Sequence, residues 1–184
     1  MPFFSASASV INLWHYLWGR KVVVDGHVWL HELAMRHVGD LWSVSGEQYT
    51  NIVVDFLERA RMLQMRNIQP LFVFDGHKRS PAKASTDRER REKRLKNFAA
   101  VQGLIDGADD DFSTVEIDES VLKAAASVKT TMVLAVVAAL RAEGLPYVVA
   151  PHEGDPQIAY IAKRYREYVV LTIDSDLIIH GCPE

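Results

Sequence analysis

Four short apolar runs, KVVV at 21–24, PLFVF at 70–74, YVVA at 147–150 and YVVLTI at 168–173, each lead within a few residues into at least one carboxylate. Runs this short, rich in β-branched and aromatic residues and lacking polar alternation, read as strands buried on both faces. The stretches between them are long and carry helical periodicity, as the crossovers between parallel strands require. The expected fold class is therefore α/β, a mostly parallel central sheet flanked by helices. Ligands of such open sheets bind outside the carboxyl ends of the strands. The acids fall there: Asp25 after the first run, Asp75 after the second, Glu153 and Asp155 after the third, Asp174 and Asp176 after the fourth.

One aspartate after a strand is commonly a turn or cap residue. Asp155, followed by Pro156, is expected to cap the helix that begins there. Six acids at four strand ends are better explained by a shared site. Carboxylates held close together raise one another's pKa and cannot all ionise without a cation. An oxygen-only ligand set suits Mg²⁺, with Mn²⁺ able to substitute. All six are candidate metal ligands. His27 and His31, near the start of the helix that follows Asp25, are candidate substrate contacts.

The net charge of −3 hides an asymmetry: residues 77–96 hold nine Lys or Arg against three acids, so that segment is +6 and the remainder −9. A basic block beside an acidic metal site is what a phosphodiester substrate requires, since cations hold the backbone while metal neutralises the reacting phosphate. A solvated helix face is the ordinary alternative for a charge run. From Asp87 to Lys93 there is no apolar residue. That stretch has no face to bury and is expected to project from the globule.

The intervening helices follow from apolar spacing. A short helix within Ala8–Trp18 is expected to pack its tryptophans into the core, and another spans Val28–Leu41. Ser45 and Gln48 form a plausible capping box for a helix ending near Asn67. Residues 107–119 read as a mobile loop, and a long helix covers Ser120–Glu143 with Gly144 as its stop. Two helices thus rise and return between the second and third strands, placed to clamp the acidic cleft. The length of 184 residues, 48% of them hydrophobic, suits a single domain with a real core. One cysteine, Cys182, leaves no internal disulfide. With no basic leader and no apolar run long enough to span a bilayer, the expectation is a soluble intracellular protein without membrane partners.

FVFDGHKRSPAK followed by RERREKR, then VVAPHEGDPQIAYIAK and TIDSDLIIHGC, resembles the N-terminal and internal regions of the structure-specific 5′ nucleases. This is the xeroderma-pigmentosum-G and flap-endonuclease family, and the wording is closest to its exonuclease-one branch. The resemblance runs from about Lys21 to the end. It implies a PIN-like nuclease fold with a helical arch inserted between the second and third strands. It also implies two Mg²⁺ ions on Asp25, Asp75, Glu153, Asp155, Asp174 and Asp176. Lys83 and Arg90 would meet the scissile phosphate as catalytic cations, while Lys78, Arg79, Arg91 and Arg94 belong to the basic substrate-binding segment. The implied partner is DNA with a free 5′ end or flap, with RNA as the alternative, in the nucleus and in DNA repair.

The chain departs from the family pattern at three places. It begins MPFFSASAS instead of Met-Gly, it has His27 where a base-stacking tyrosine is expected, and it stops at Glu184. The family continues with a further metal-binding aspartate and a helix-two-turn-helix segment. The reading is therefore one nuclease domain over 1–184 without that C-terminal part, with the arch and loop at 77–119. The expected chemistry is metal-assisted hydrolysis near a 5′ end, two ions dividing water activation from stabilisation of the leaving oxygen. A nuclease fold that binds DNA or metal without turnover is the first rival. A phosphatase or RNA-cutting enzyme is the second, because DxD spacing serves many phosphoryl sites.

Overall fold

Each short apolar run forms a strand whose side chains alternate between the two faces of the sheet, the first two runs largely buried and the last two only partly. The computed structural model describes residues 12–37, 49–76 and 128–172, with helical positions at 88–89, 92–93, 95–97, 99–100 and 103. Its elements run α1 (Leu13–Leu17), β1 (Lys21–Asp25), α2 (Gly26–Arg36), α3 (Thr50–Met65), β2 (Gln69–Phe74), α4 (Thr130–Ala142), β3 (Tyr147–Val149), α5 (Gly154–Arg164) and β4 (Tyr168–Leu171). All pairings are parallel, in the order β3-β2-β1-β4. The chain builds outward from β1 to β3, then crosses by α5 to place β4 on the other side of β1. β1 and β4 therefore flank the topological switch point.

Alternation sorts the core into two layers. Val22, Val24, Phe72 and Phe74 face α1, α2, α3 and α4, and pack with Leu30, Leu33, Ile52, Phe56, Met132 and Val136. Val23 and Val73 face the other way, onto Ile158 and Ile161 of α5. Trp29, Phe56 and Phe72 meet edge-on or tilted, with ring centroids 5.3–5.7 Å apart. Arg59 clips α3 to α2 through a two-pronged bond to Glu32 at 2.8 and 2.9 Å. His37 meets Asp55 at 2.8 Å beside it.

Two helices stop by the same device. Asn67 and Gly144 both take positive φ. In each case the next residue's N–H reaches back five positions, from Ile68 to the Leu63 carbonyl and from Leu145 to that of Leu140. These are Schellman closures, which satisfy the last carbonyls of a helix.

Several boundaries differ from expectation. α4 begins at Thr130, because Val128 and Lys129 are not helical, and Lys129, the residue before the helix, is extended. α3 begins at Thr50 with Tyr49 at its cap and no side-chain cap bond, and the expected Ser45–Gln48 box lies outside the described residues. α1 is held by Asn12, whose carboxamide accepts from the His15 N–H. Its Trp14 and the following Trp18 are 42% and 63% exposed, and so do not lie in the core. Within residues 88–103, the described positions Arg88, Glu89, Glu92, Lys93, Leu95 and Lys96 are helical and exposed, as a projecting helix requires. The expected loop at 107–119 lies outside the described residues.

Candidate active site

Asp25 closes β1 and opens α2. Its Oδ1 accepts from the backbone N–H of His27 and of Val28, each at 3.0 Å. This is an N-cap made by a strand's last residue, and it explains why α2 starts at Gly26, two residues before the apolar periodicity becomes visible. Gly26 must lack a side chain, since a Cβ there would stand 2.5 Å from the Phe74 ring. Asp25 is 6% exposed and is the one buried charged side chain among the described residues. Burial raises its pKa to about 6, with smaller upward pushes from the charges of Asp155 and Asp75 that the two capping N–H bonds oppose. Three sequence-predicted acids thus act on one another at one edge of the sheet.

Asp75 follows β2 directly. Its Oδ1 accepts from the Gly154 N–H at 2.7 Å, and its Oδ2 lies 3.7 Å from Nε2 of His27. The two turns are laced together beyond the last strand residues. Ala150 N–H donates to the Phe74 carbonyl at 2.8 Å, and Gly76 N–H donates to that of His152 at 2.6 Å. Glu153 is the residue before α5 and makes no side-chain cap bond. Asp155 does not cap the helix as its pairing with Pro156 suggests. The helix starts earlier, at Gly154, and Asp155 sits inside the first turn, where the helix dipole favours a negative charge. His27 is half-buried beside Asp75, while His31, one turn along α2, is exposed.

The remaining candidates, Asp174, Asp176, Lys78, Arg79, Lys83, Arg90, Arg91 and Arg94, lie outside the described residues. Among the described residues no group of three His, Cys, Asp or Glu side chains is gathered closely enough to hold an ion unaided. The donor chemistry nevertheless fits a hard divalent cation. The acids are oxygen ligands whose mutual repulsion a cation relieves. Asp25 and Asp75 each commit Oδ1 to backbone N–H groups, while Oδ2 of Asp75 faces the His27 ring. The sequence marks Gly26 and Gly76 as turn residues in a repeated Asp-Gly ending of the first two strands, but Gly154 was not singled out. The same acid-glycine adjacency, Glu153-Gly154, is the signal that could have found the third.

Comparison with known proteins agrees with this geometry. Residues 8–97 match the family described as XPG N-terminal domain, and residues 144–184 match the XPG I-region. The chain is 31% identical over 164 residues to Exodeoxyribonuclease 1 of Schizosaccharomyces pombe, covering 89% of this chain and 27% of that protein. It is 32% identical over 164 residues to Exonuclease 1 of Xenopus laevis, covering 89% and 21%. The chain thus spans about a quarter of the length of the curated relatives it matches. Among solved structures, the catalytic core of Rad2 in complex with DNA substrate superposes with a TM-score of 0.59 at 24% identity, covering 91% of this chain and 44% of that one. Flap endonuclease-1 from Methanococcus jannaschii gives a TM-score of 0.54 at 23% identity, covering 95% and 54%. Both are likenesses of fold, with the same PIN-like arrangement of a parallel sheet between helices. With its N-terminal and internal regions both matched, over residues 8–97 and 144–184, the chain belongs to the XPG family of nucleases.

Proposed function

We propose that this chain carries the catalytic centre of a divalent-metal-dependent 5′ nuclease, hydrolysing phosphodiester bonds near 5′ ends, flaps or junctions of DNA. The observation that carries the reading is the charge pile-up at the switch-point edge, where Asp75 and Asp155 both push on the buried Asp25. Asp25, Asp75, Glu153, Asp155, Asp174 and Asp176 would hold two Mg²⁺ ions, with Mn²⁺ as substitute. When bound, the ions supply an activated water and neutralise charge on the phosphate.

The protein's own groups do the rest. Backbone N–H bonds to one oxygen of Asp25 and of Asp75 fix each carboxylate before any ligand arrives. Lys83 and Arg90 would bring positive charge to the non-bridging oxygens as the pentacovalent phosphorus forms. Lys78, Arg79, Arg91 and Arg94 would hold flanking phosphates without regard to sequence. The half-buried His27 and the exposed His31 stand on one face of α2, on the approach to the acids. A nuclear DNA-repair setting is part of the proposal, resting on the exonuclease relatives. No described helix is long and apolar enough to cross a membrane.

The test is cleavage of 5′-flap and 5′-recessed DNA duplexes, labelled at either end, with an RNA-flap substrate as competitor. Mg²⁺-dependent cutting at the 5′ junction is expected, with Asp75→Ala slower by at least ~100-fold, beyond the usual effect of an indirect metal partner. A variant cutting at the wild-type rate removes Asp75 from the site. A folded, metal-binding wild-type chain that leaves every substrate intact favours a binding fold without turnover.

A further inference from the structure

Two glycines flank the acidic turns, and a side chain at each would meet a different kind of neighbour. At Gly76 an added Cβ would fall on the carbonyl oxygen of Ala150, with the Pro151 backbone just behind it. Neither can move without breaking the lacing between β2 and the β3–α5 turn. At Gly154 the nearest atom to an added Cβ is Oδ1 of Asp75 at 3.0 Å, and the next are 3.8 Å away. A carboxylate can swing aside where a backbone cannot. The same Oδ1 accepts the Gly154 N–H at 2.7 Å, so the few tenths of an ångström it must yield would turn the carboxylate and lengthen that bond. Gly154 is itself buried, and its position in the first turn of α5 lets one backbone N–H reach the acid of the neighbouring strand.

Resting on the metal-site reading above, we propose that Gly154 is a positioning residue. Its N–H and its missing side chain together seat Asp75, so that Oδ2 is presented to the cation in register with Asp155, the next residue along the chain. The backbone partner of a ligating carboxylate sets its orientation, and loss of such partners typically weakens metal binding 10–100-fold. Gly76, by contrast, serves the fold.

The experiment titrates Mn²⁺ into the full chain, following free Mn²⁺ by electron paramagnetic resonance. Wild type is compared with Gly154→Ala, Gly76→Ala, Asp75→Asn and the Asp75→Asn/Gly154→Ala double variant, and each metal-free protein is also melted. Gly154→Ala is expected to raise the Mn²⁺ dissociation constant by about tenfold while its metal-free melting temperature moves by less than about 3 °C. Gly76→Ala is expected to show the larger loss of melting temperature. In the Asp75→Asn background Gly154→Ala is expected to add no further loss of Mn²⁺ affinity, because the carboxylate it positions is gone.

Unchanged Mn²⁺ affinity in a folded Gly154→Ala protein overturns the inference. So does a melting-temperature loss equal to that of Gly76→Ala, or outright unfolding, since either assigns Gly154 to the fold alone. Failure of the wild-type chain itself to bind Mn²⁺ overturns instead the metal-site reading on which the inference rests.

Discussion

At the junction of β1 and α2, the carboxylate of Asp25 gains two capping bonds and loses its water. Burial is the larger influence on its acidity, holding its pKa at about 6 in the folded chain against an ordinary 3.8. The folded state therefore keeps this proton more tightly than the unfolded state. The associated stability is fully present below about pH 4 and is lost as pH rises through about 6. Asp25→Asn keeps an oxygen to cap α2 but has no charge to bury. In EDTA it is expected to exceed wild type in stability above pH 6 by up to roughly 3 kcal/mol, with the two converging near pH 4. Urea denaturation across that range reads the difference directly. Equal stabilities at neutral pH would show that the charge is already compensated within the chain. The acids themselves were legible in the sequence because each follows an apolar run. Their division of labour was not: Asp25 caps a helix and Asp155 does not, since a cap is decided by which N–H groups a side chain meets.

The strands were the elements most readily found from sequence. Valine-rich runs such as Val22–Val24 cannot be solvated on either face, and each appears as a strand within about one or two residues of its apolar limits. Helix starts were harder. Leu122, Ala125 and Val128 extend the period of α4 backwards, yet Val128 and Lys129 leave the helix, because apolar spacing continues across a boundary where no capping side chain marks it. The order β3-β2-β1-β4 was not readable either, since parallel partners are chosen by contacts remote in sequence. The layer packed by α2, α3 and α4 centres on Phe56, which is fully buried and meets Trp29, Phe72 and Phe74 edge-on or tilted. Phe56→Ala is expected to cost about 3–5 kcal/mol, measured by chemical denaturation. A loss below about 1 kcal/mol would mean the aromatic cluster closes over the cavity.

Over the whole molecule, charge is segregated: the segment 77–96 is strongly positive while the remainder, with the carboxylate edge, is negative. The described cations of that segment, Arg88, Lys93 and Lys96, are helical and turned to solvent. Removing one phosphate contact lowers the salt dependence of nucleic-acid binding in a countable way. Arg90→Ala is expected to reduce the slope of log affinity against log salt by about one, read by fluorescence anisotropy on a labelled flap duplex. An unchanged slope would return that arginine to the solvated surface.

The central place of β1 also carries a consequence for the order in which the sheet assembles. One neighbour, β2, is supplied by the middle of the chain, but the other is β4, so that Lys21 must wait for Tyr168 before its second ladder can form. Pairings between distant segments close late, both in refolding and during synthesis. The second ladder of β1 therefore comes into being only after β4, Tyr168–Leu171, has been made. A chain still on the ribosome therefore holds Asp25 on an unfinished edge until β4 closes the sheet beside it.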